Sequence, residues 1–202
     1  MESNWKSEEI RRDEYQYDKL DDQVFEIKDD FLPHDEWKCI HDVMMSEEFT
    51  WNYNDHNYGG SDGEYPQLTH TFYSPNSGPI SPFSSLLKPL IGQLDPLALV
   101  RIRANMNWKV DKATHRPYHV DFGCIDCTTS IYYINTNNGY TLLEDGTKIE
   151  SVANRLFRFD SQINHAAVPA TDVTRRVLIN INYHKKESCK TLVRSTRGID
   201  NT

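Results

Sequence analysis

The chain has 202 residues, 38% of them hydrophobic and 26% charged, with a formal net charge of −8. Such a length fits one domain with a sizeable core. The acidic balance argues against broad attraction to nucleic acid, no apolar run approaches a membrane span, and Met1-Glu2-Ser3-Asn4-Trp5-Lys6 lacks a secretory apolar segment, so a cytoplasmic protein is expected.

Residues 1–22 are crowded with charge and predict an N-terminal extension without chemistry. Gln23-Val24-Phe25-Glu26-Ile27-Lys28 alternates apolar and polar residues, as a half-buried strand does. Pro33 then opens a helix in which Trp37, Ile40, Met44 and Met45 recur at helical spacing, with Asp35 and Glu36 near its positive end. From Trp51 to Pro66 there is no period and many turn formers, the signature of a long loop of lid type. Residues 67–73 read as a strand. Ser81-Pro82 caps a helix with Leu86, Leu87, Leu90, Ile91 and Leu94 on its apolar face, and Pro89 is expected to kink or divide it. Residues 97–108 read as a strand with Leu99, Arg101, Arg103, Asn105 and Asn107 on one face and Ala98, Val100, Ile102, Ala104 and Met106 on the other. Arg101, Arg103, Lys109, Lys112 and Arg116 form a basic stretch, either a positive rim for an anionic substrate or a solvated face.

The second half consists of short strands near 118–122, 127–135, 140–144, 147–152, 154–160 and 175–184, punctuated by Asn138-Gly139 and Asp145-Gly146, both strong hairpin signals. Early helices followed by many short strands predict an α+β, mainly β fold: a double-stranded β-helix, or jelly roll, with helices packed on one side. It should span 23–184, before a polar tail at 185–202 in which 191–193 reads as a short strand. Cys39, Cys124, Cys127 and Cys189 are too unevenly spaced for a disulfide framework, and Cys124-x-x-Cys127 has no second pair to complete a zinc site.

The chemistry centres on Tyr118-His119-Val120-Asp121-Phe122. In an extended strand His119 and Asp121 point to the same side, and His165, 46 positions on, can return beside them. Two histidines and one carboxylate make a facial triad suited to non-heme Fe(II), because coordination positions stay open. Arg176 follows His165 by 11 residues, at the head of a β-branched run. Its guanidinium fork matches a carboxylate, with Arg175 the rival on the opposite face.

The order His119-x-Asp121, His165, then a basic residue heading a final strand resembles the Fe(II)/2-oxoglutarate-dependent dioxygenases, specifically their prolyl-4-hydroxylase-like branch. Asp29-Asp30-Phe31-Leu32-Pro33, Ser130-Ile131-Tyr132-Tyr133-Ile134-Asn135 and Asn154-Arg155-Leu156-Phe157-Arg158-Phe159-Asp160 support it, over roughly residues 24–184. The resemblance implies Fe(II) on His119, Asp121 and His165, the distal carboxylate of 2-oxoglutarate on Arg176 with help from Tyr133, and Asn135 lining the pocket. It implies hydroxylation of a C–H bond by O2 with release of succinate and CO2, ascorbate keeping the iron reduced. It also implies that the 97–108 strand borders the cofactor pocket and that His56, Tyr58 and Tyr65 meet the substrate. That substrate is a prolyl residue of a peptide or protein first, and a free amino acid or small metabolite second. Two rivals use the same residues: a zinc hydrolase, and a non-catalytic binding domain that retained the barrel.

Overall fold

The computed structural model describes residues 25–55, 65–121 and 126–186. In chain order the strands are β1 (Phe25–Lys28), β2 (Asn52–Asn54), β3 (Gln67–Ser74), β4 (Gly78–Pro79), β5 (Pro96–Trp108), β6 (Cys127–Tyr133), β7 (Tyr140–Leu143), β8 (Lys148–Glu150), β9 (Leu156–Asp160), β10 (His165–Val168) and β11 (Arg175–Lys185). Two short helices, α1 (His34–Met44) and α2 (Lys88–Leu94), precede β5. Eight strands form one antiparallel sheet in the order β1-β9-β6-β11-β5-β3-β2, with β4 on β3, and β10-β7-β8 form the second. This is the mainly β jelly roll that the strand spacing predicts.

Strand β11 sits between β5 and β6, and every residue from Arg176 to Tyr183 is buried. Its side chains therefore divide between two interiors. Val177, Ile179, Ile181 and Tyr183 join Ile102, Ala104 and Met106 of β5 in a core closed by Ile40 and Met44 of α1 and Leu90 and Leu94 of α2. On the other face Leu178 packs with Ile131, Tyr133, Leu143, Ile149, Phe157 and Phe159 between the two sheets. Burying each such aliphatic side chain contributes roughly 1.5–3 kcal/mol, so the helix-covered face anchors the sheet while its other face is left to carry polar groups.

Local chemistry explains the helix ends. Pro33 stands at the N-cap of α1 with Asp35 and Glu36 in the first turn, where the helix dipole favours carboxylates. The expected helix after Ser81-Pro82 is divided: residues 84–87 form a 3-10 turn, and Pro89 lies in the first turn of α2, where its missing N–H costs nothing. Asp95 ends α2 in the left-handed region at φ 46° and donates its N–H to the Ile91 carbonyl. Aspartate tolerates that conformation better than most residues.

Several expectations change: residues 52–54, expected within the long loop, form β2 on β3. Of the expected 118–122 strand, the described residues 118–121 form none: His119 alone among them makes a bridge, to His165. Residues 165–168, not read as a strand, form β10 on β7. Between Asn182 and Tyr183 the β11–β5 register shifts past Val100, so Leu99 packs against the helix-side core rather than sharing the face of Arg101. A bulge of this kind reverses the alternation of side chains beyond it.

A buried tether joins the segment before α1 to the loop before β9. Asn154, held at φ 62°, accepts hydrogen bonds at Oδ1 from the Leu32 N–H (3.0 Å) and the Tyr132 hydroxyl (2.7 Å), and donates Nδ2 to the Leu32 carbonyl (2.8 Å).

Candidate metal centre and cavity

His119 and His165 face one another across the bridge, each donating its N–H to the other's carbonyl at 3.0 Å. Directly opposed residues project to the same side, and the two imidazole centroids are 4.6 Å apart. Each ring is fixed by its own Nδ1, which reaches the carbonyl two residues earlier: Pro117 at 3.3 Å for His119 and Ile163 at 3.0 Å for His165. A carbonyl only accepts, so Nδ1 carries the proton and Nε2 presents a lone pair. Both Nε2 atoms look at Asp121, His119 at 3.9 Å from Oδ1 and His165 at 3.6 Å from Oδ2. One ligand atom from each of the three side chains lies within 4.8 Å of the others, a grouping that can hold a metal ion.

The carboxylate is itself positioned. Asn180 donates Nδ2 to Asp121 Oδ2 at 2.7 Å, and the Arg101 guanidinium stands 3.6 Å from Oδ1. Burial pushes the Asp121 carboxyl up, but His165, Arg101 and the Asn180 hydrogen bond outweigh it, so its pKa lies below the ordinary carboxylate value. Burial and neighbouring His165 hold His119 below the usual imidazole value, against the pull of Asp121. An anionic Asp121 beside a His119 that resists protonation is the state that metal ligation requires. Hydrogen-bonded Nδ1 atoms and the Asn180 support are also the outer partners that metal-binding histidines and carboxylates need.

These groups open on a cavity of about 320 Å³ lined by residues that include Arg101, Arg103, Asn105, Thr141, Arg176 and Asn180. Arg176 is 1% exposed. It donates Nε to Ser151 Oγ at 2.8 Å and Nη2 to Thr141 Oγ1 at 3.4 Å, with its guanidinium 5.6 Å from the centre of the Tyr133 ring. Arg175 turns the other way and donates to the Met45 carbonyl. Gly139 makes room for Arg176: a Cβ there would come within 2.7 Å of Arg176 Cδ.

The structure thus brings His119, Asp121, His165 and Arg176 to one cavity. Tyr133 is buried beneath Arg176 with its hydroxyl 2.7 Å from Thr141 Oγ1, and burial raises its pKa, so it stays a phenol. Asn135 does not line the cavity. It clamps the backbone around Arg176 instead, donating Nδ2 to the Arg175 carbonyl and accepting the Val177 N–H, both at 2.9 Å. Of the basic stretch, Arg101 and Arg103 line the cavity, whereas Lys109 and Lys112 are exposed and Arg116 stacks over Tyr65 at 5.1 Å. His56, Tyr58, Cys124 and the 191–193 segment lie outside the described residues, and Cys127 is buried at the head of β6.

Sequence reasoning missed Asn180, Thr141 and Ser151. Asn180 had a signal, since it lies four residues beyond Arg176 and alternation puts both on one face. Thr141 and Ser151 had none, because they reach Arg176 from the second sheet.

No family model matches the chain, and no curated protein matches it by sequence. Solved structures do match its fold. A prolyl hydroxylase from Trichoplax adhaerens, in complex with a hypoxia inducible factor oxygen degradation domain peptide fragment, superposes with a TM-score of 0.54 at 16% identity, covering 79% of this chain and 83% of that one. The non-heme alpha-ketoglutarate-dependent epimerase SnoN from nogalamycin biosynthesis gives 0.56 at 10% identity over 80% and 78%. The carbocyclase SnoK of the same biosynthesis gives 0.55 at 11% over 81% and 80%. At such identities the likeness is one of fold: the jelly roll of 2-oxoglutarate oxygenases.

Proposed function

We propose that the protein is an Fe(II)- and 2-oxoglutarate-dependent dioxygenase that hydroxylates a C–H bond. The observation that carries this reading is the convergence of His119 Nε2, Asp121 and His165 Nε2 within 4.8 Å, in a cavity that also holds the buried Arg176. Two histidines and one carboxylate with open positions are the donor set of non-heme Fe(II), and the anchored rings and carboxylate have the outer hydrogen-bond partners such ligands need. When bound, iron and 2-oxoglutarate supply the oxidation of the C–H bond by O2, with release of succinate and CO2.

The chain's own residues bind and orient. Asn180 and Arg101 keep Asp121 charged and aimed. Burying a guanidinium costs several kcal/mol, and a dicarboxylate received by Arg176 would offset that cost through two parallel hydrogen bonds. Ser151 and Thr141 hold the fork, while Tyr133 and Gly139 shape its berth. The Phe159 ring, edge-on to His165 at 4.9 Å between centroids, helps keep water from that side.

For the substrate, a prolyl residue of a peptide or protein is one choice, in keeping with a neighbour crystallised with a peptide. The modest size of the cavity suits the other choice, a free amino acid or small metabolite. Anaerobic titration with Fe(II) and 2-oxoglutarate tests the centre. The wild type should develop the visible charge-transfer band of the chelate, and His165→Ala should lose it. A band unchanged in that variant contradicts the assignment; activity supported by zinc and not iron would favour a hydrolase.

A further inference from the structure

We propose that the substrate presents a neutral NH2 group, that of a carboxamide or urea, seated between the side-chain carbonyls of Asn180 and Asn105; the inference rests on the dioxygenase reading above. Asn180 is 5% exposed and lines the cavity. Its donor is fixed, because the Asp121 carboxylate 2.7 Å away can only accept, and so Nδ2 faces Asp121 while Oδ1 turns elsewhere. That oxygen is buried with no hydrogen-bond partner among the described residues. The same holds for Oδ1 of Asn105, another residue of the cavity lining.

The register of the sheet sets these two residues near one another. Asn105 on β5 lies opposite Leu178 of β11, and Asn180 lies two residues further along, opposite Arg103. They are diagonal neighbours on one face, with Cα atoms about 7–8 Å apart, within reach of a single small group placed between them. Amide carbonyls beside them are already filled: Asn182 Oδ1 receives Arg101 Nε at 3.1 Å, and Gln67 Oε1 receives Asn107 Nδ2 at 3.4 Å. A buried carbonyl left unmatched is costly, so two of them on one diagonal mark a place that a ligand fills.

The chemistry of the two acceptors selects the donor. Neither the 2-oxoglutarate dianion nor dioxygen carries an N–H or O–H, so these carbonyls fall to the substrate. A hydroxyl has one proton and satisfies one of them, whereas the NH2 of a carboxamide or urea has two protons in one plane and can satisfy both. With Asp121 committed to the metal, an ammonium or guanidinium at this point would bring like charge into a lining that holds Arg101, Arg103 and Arg176, so the donor is neutral. The cavity, near 320 Å³, lies at the low end of the roughly 300–1,000 Å³ of small-molecule sites, which suits one such unit next to a cosubstrate.

The test is calorimetry under anaerobic conditions, with the protein holding Fe(II) and saturating 2-oxoglutarate. The probes are L-asparagine, L-glutamine, L-citrulline and the blocked tripeptides N-acetyl-Gly-Asn-Gly-methylamide and N-acetyl-Gly-Gln-Gly-methylamide, each paired with the isostere whose side-chain NH2 is replaced by CH3. At least one NH2 probe should bind about tenfold or more tighter than its methyl isostere. In Asn105→Leu, in protein that melts as the wild type does, that preference should shrink to about threefold or less with 2-oxoglutarate binding unchanged, while Asn105→Asp keeps an acceptor there and should retain it. Binding of the free amino acids or of the tripeptides supports the proposal equally and tells a small molecule from a residue within a chain. Equal binding of NH2 probe and isostere, or no heat from any NH2 probe while 2-oxoglutarate binds normally, overturns the proposal and leaves the metal centre standing. A preference untouched by Asn105→Leu places the NH2 elsewhere and also overturns it, as does a loss of 2-oxoglutarate affinity in that variant as large as the loss of the probe. Failure of 2-oxoglutarate to bind the wild type defeats the dioxygenase reading and this inference together.

Discussion

Asn180 shows how one amide governs a centre it does not complete. Its Nδ2 is 2.7 Å from Asp121 Oδ2, and its Oδ1 is buried without a hydrogen-bond partner among the described residues. Removing the amide frees the carboxylate to rotate away from the two Nε2 atoms. Outer partners of metal ligands are worth about 10–100-fold in affinity, so Asn180→Ala should weaken Fe(II) binding by that factor while the fold persists. Competition of Fe(II) against a chelating dye measures it, and an affinity equal to wild type would show that Asp121 needs no such support. At this scale the sequence is most readable where chemistry is rare. Two histidines, an aspartate and an arginine in order point to one site, whereas Arg101 and Arg103 were visible as an alternating row but not as facing the cavity. Which side of a strand faces inward is decided by the partner sheet, and the bulge at Val100 alters even the alternation that was readable.

The elements carry their own constraints. The β7–β8 hairpin brings Thr141 and Ser151 to Arg176, and Gly139 lies where any side chain would strike Arg176 Cδ at 2.7 Å, the Val168 carbonyl at 2.8 Å and Asn137 Oδ1 at 2.9 Å. Gly139→Ala must therefore push the guanidinium or the hairpin aside, at about 1–3 kcal/mol of overpacking. The expected result is a lower melting temperature together with weaker 2-oxoglutarate binding; unchanged values for both would mean that the hairpin yields without cost. Asn154 plays the same part on the opposite side of the sheet. Asn154→Ala strips the Leu32 N–H, the Leu32 carbonyl and the Tyr132 hydroxyl of their buried partner, and each unsatisfied group costs about 1–3 kcal/mol. Denaturant unfolding should register a loss of several kcal/mol, with an unchanged midpoint the contrary result. Neither effect is legible in sequence. Asn138-Gly139 reads as a hairpin turn, yet β6 and β7 on either side of it lie in different sheets and do not pair, and its duty toward Arg176 needs the folded register. Asn154 meets a segment 122 residues earlier in the chain. The short strand β10 escaped notice for a related reason: His165-Ala166-Ala167-Val168 has little alternation of its own and becomes a strand by pairing with β7.

For the whole molecule, the ligand cluster links stability to acidity. Unfolded, His119 takes up a proton near the ordinary imidazole value of 6.5; folded, it resists protonation to a lower pH because burial and His165 oppose the charge. The unfolded chain then binds more protons, so metal-free protein loses stability as the pH falls below 6.5. Asp121, whose folded pKa is lowered from 3.8, adds a second loss in the same direction at more acidic pH. The melting temperature of the metal-free protein should decline from about pH 7 to about pH 5, and less steeply in His119→Gln. A flat or rising profile over that window would contradict the burial argued for His119. No helix among the described residues is long and apolar enough to cross a membrane. The mainly β fold itself was readable from hairpin punctuation and strand length, because those signals are local; the pairing of sheets that builds the cavity was not. The most direct measurement of the central claim is an anomalous-scattering map from crystals soaked anaerobically with Fe(II) and 2-oxoglutarate. The account predicts one iron peak bound by His119 Nε2, Asp121 and His165 Nε2, with a carboxylate of the cosubstrate on Arg176. Iron bound elsewhere, or an ordered cosubstrate that leaves Arg176 without a carboxylate, would contradict it.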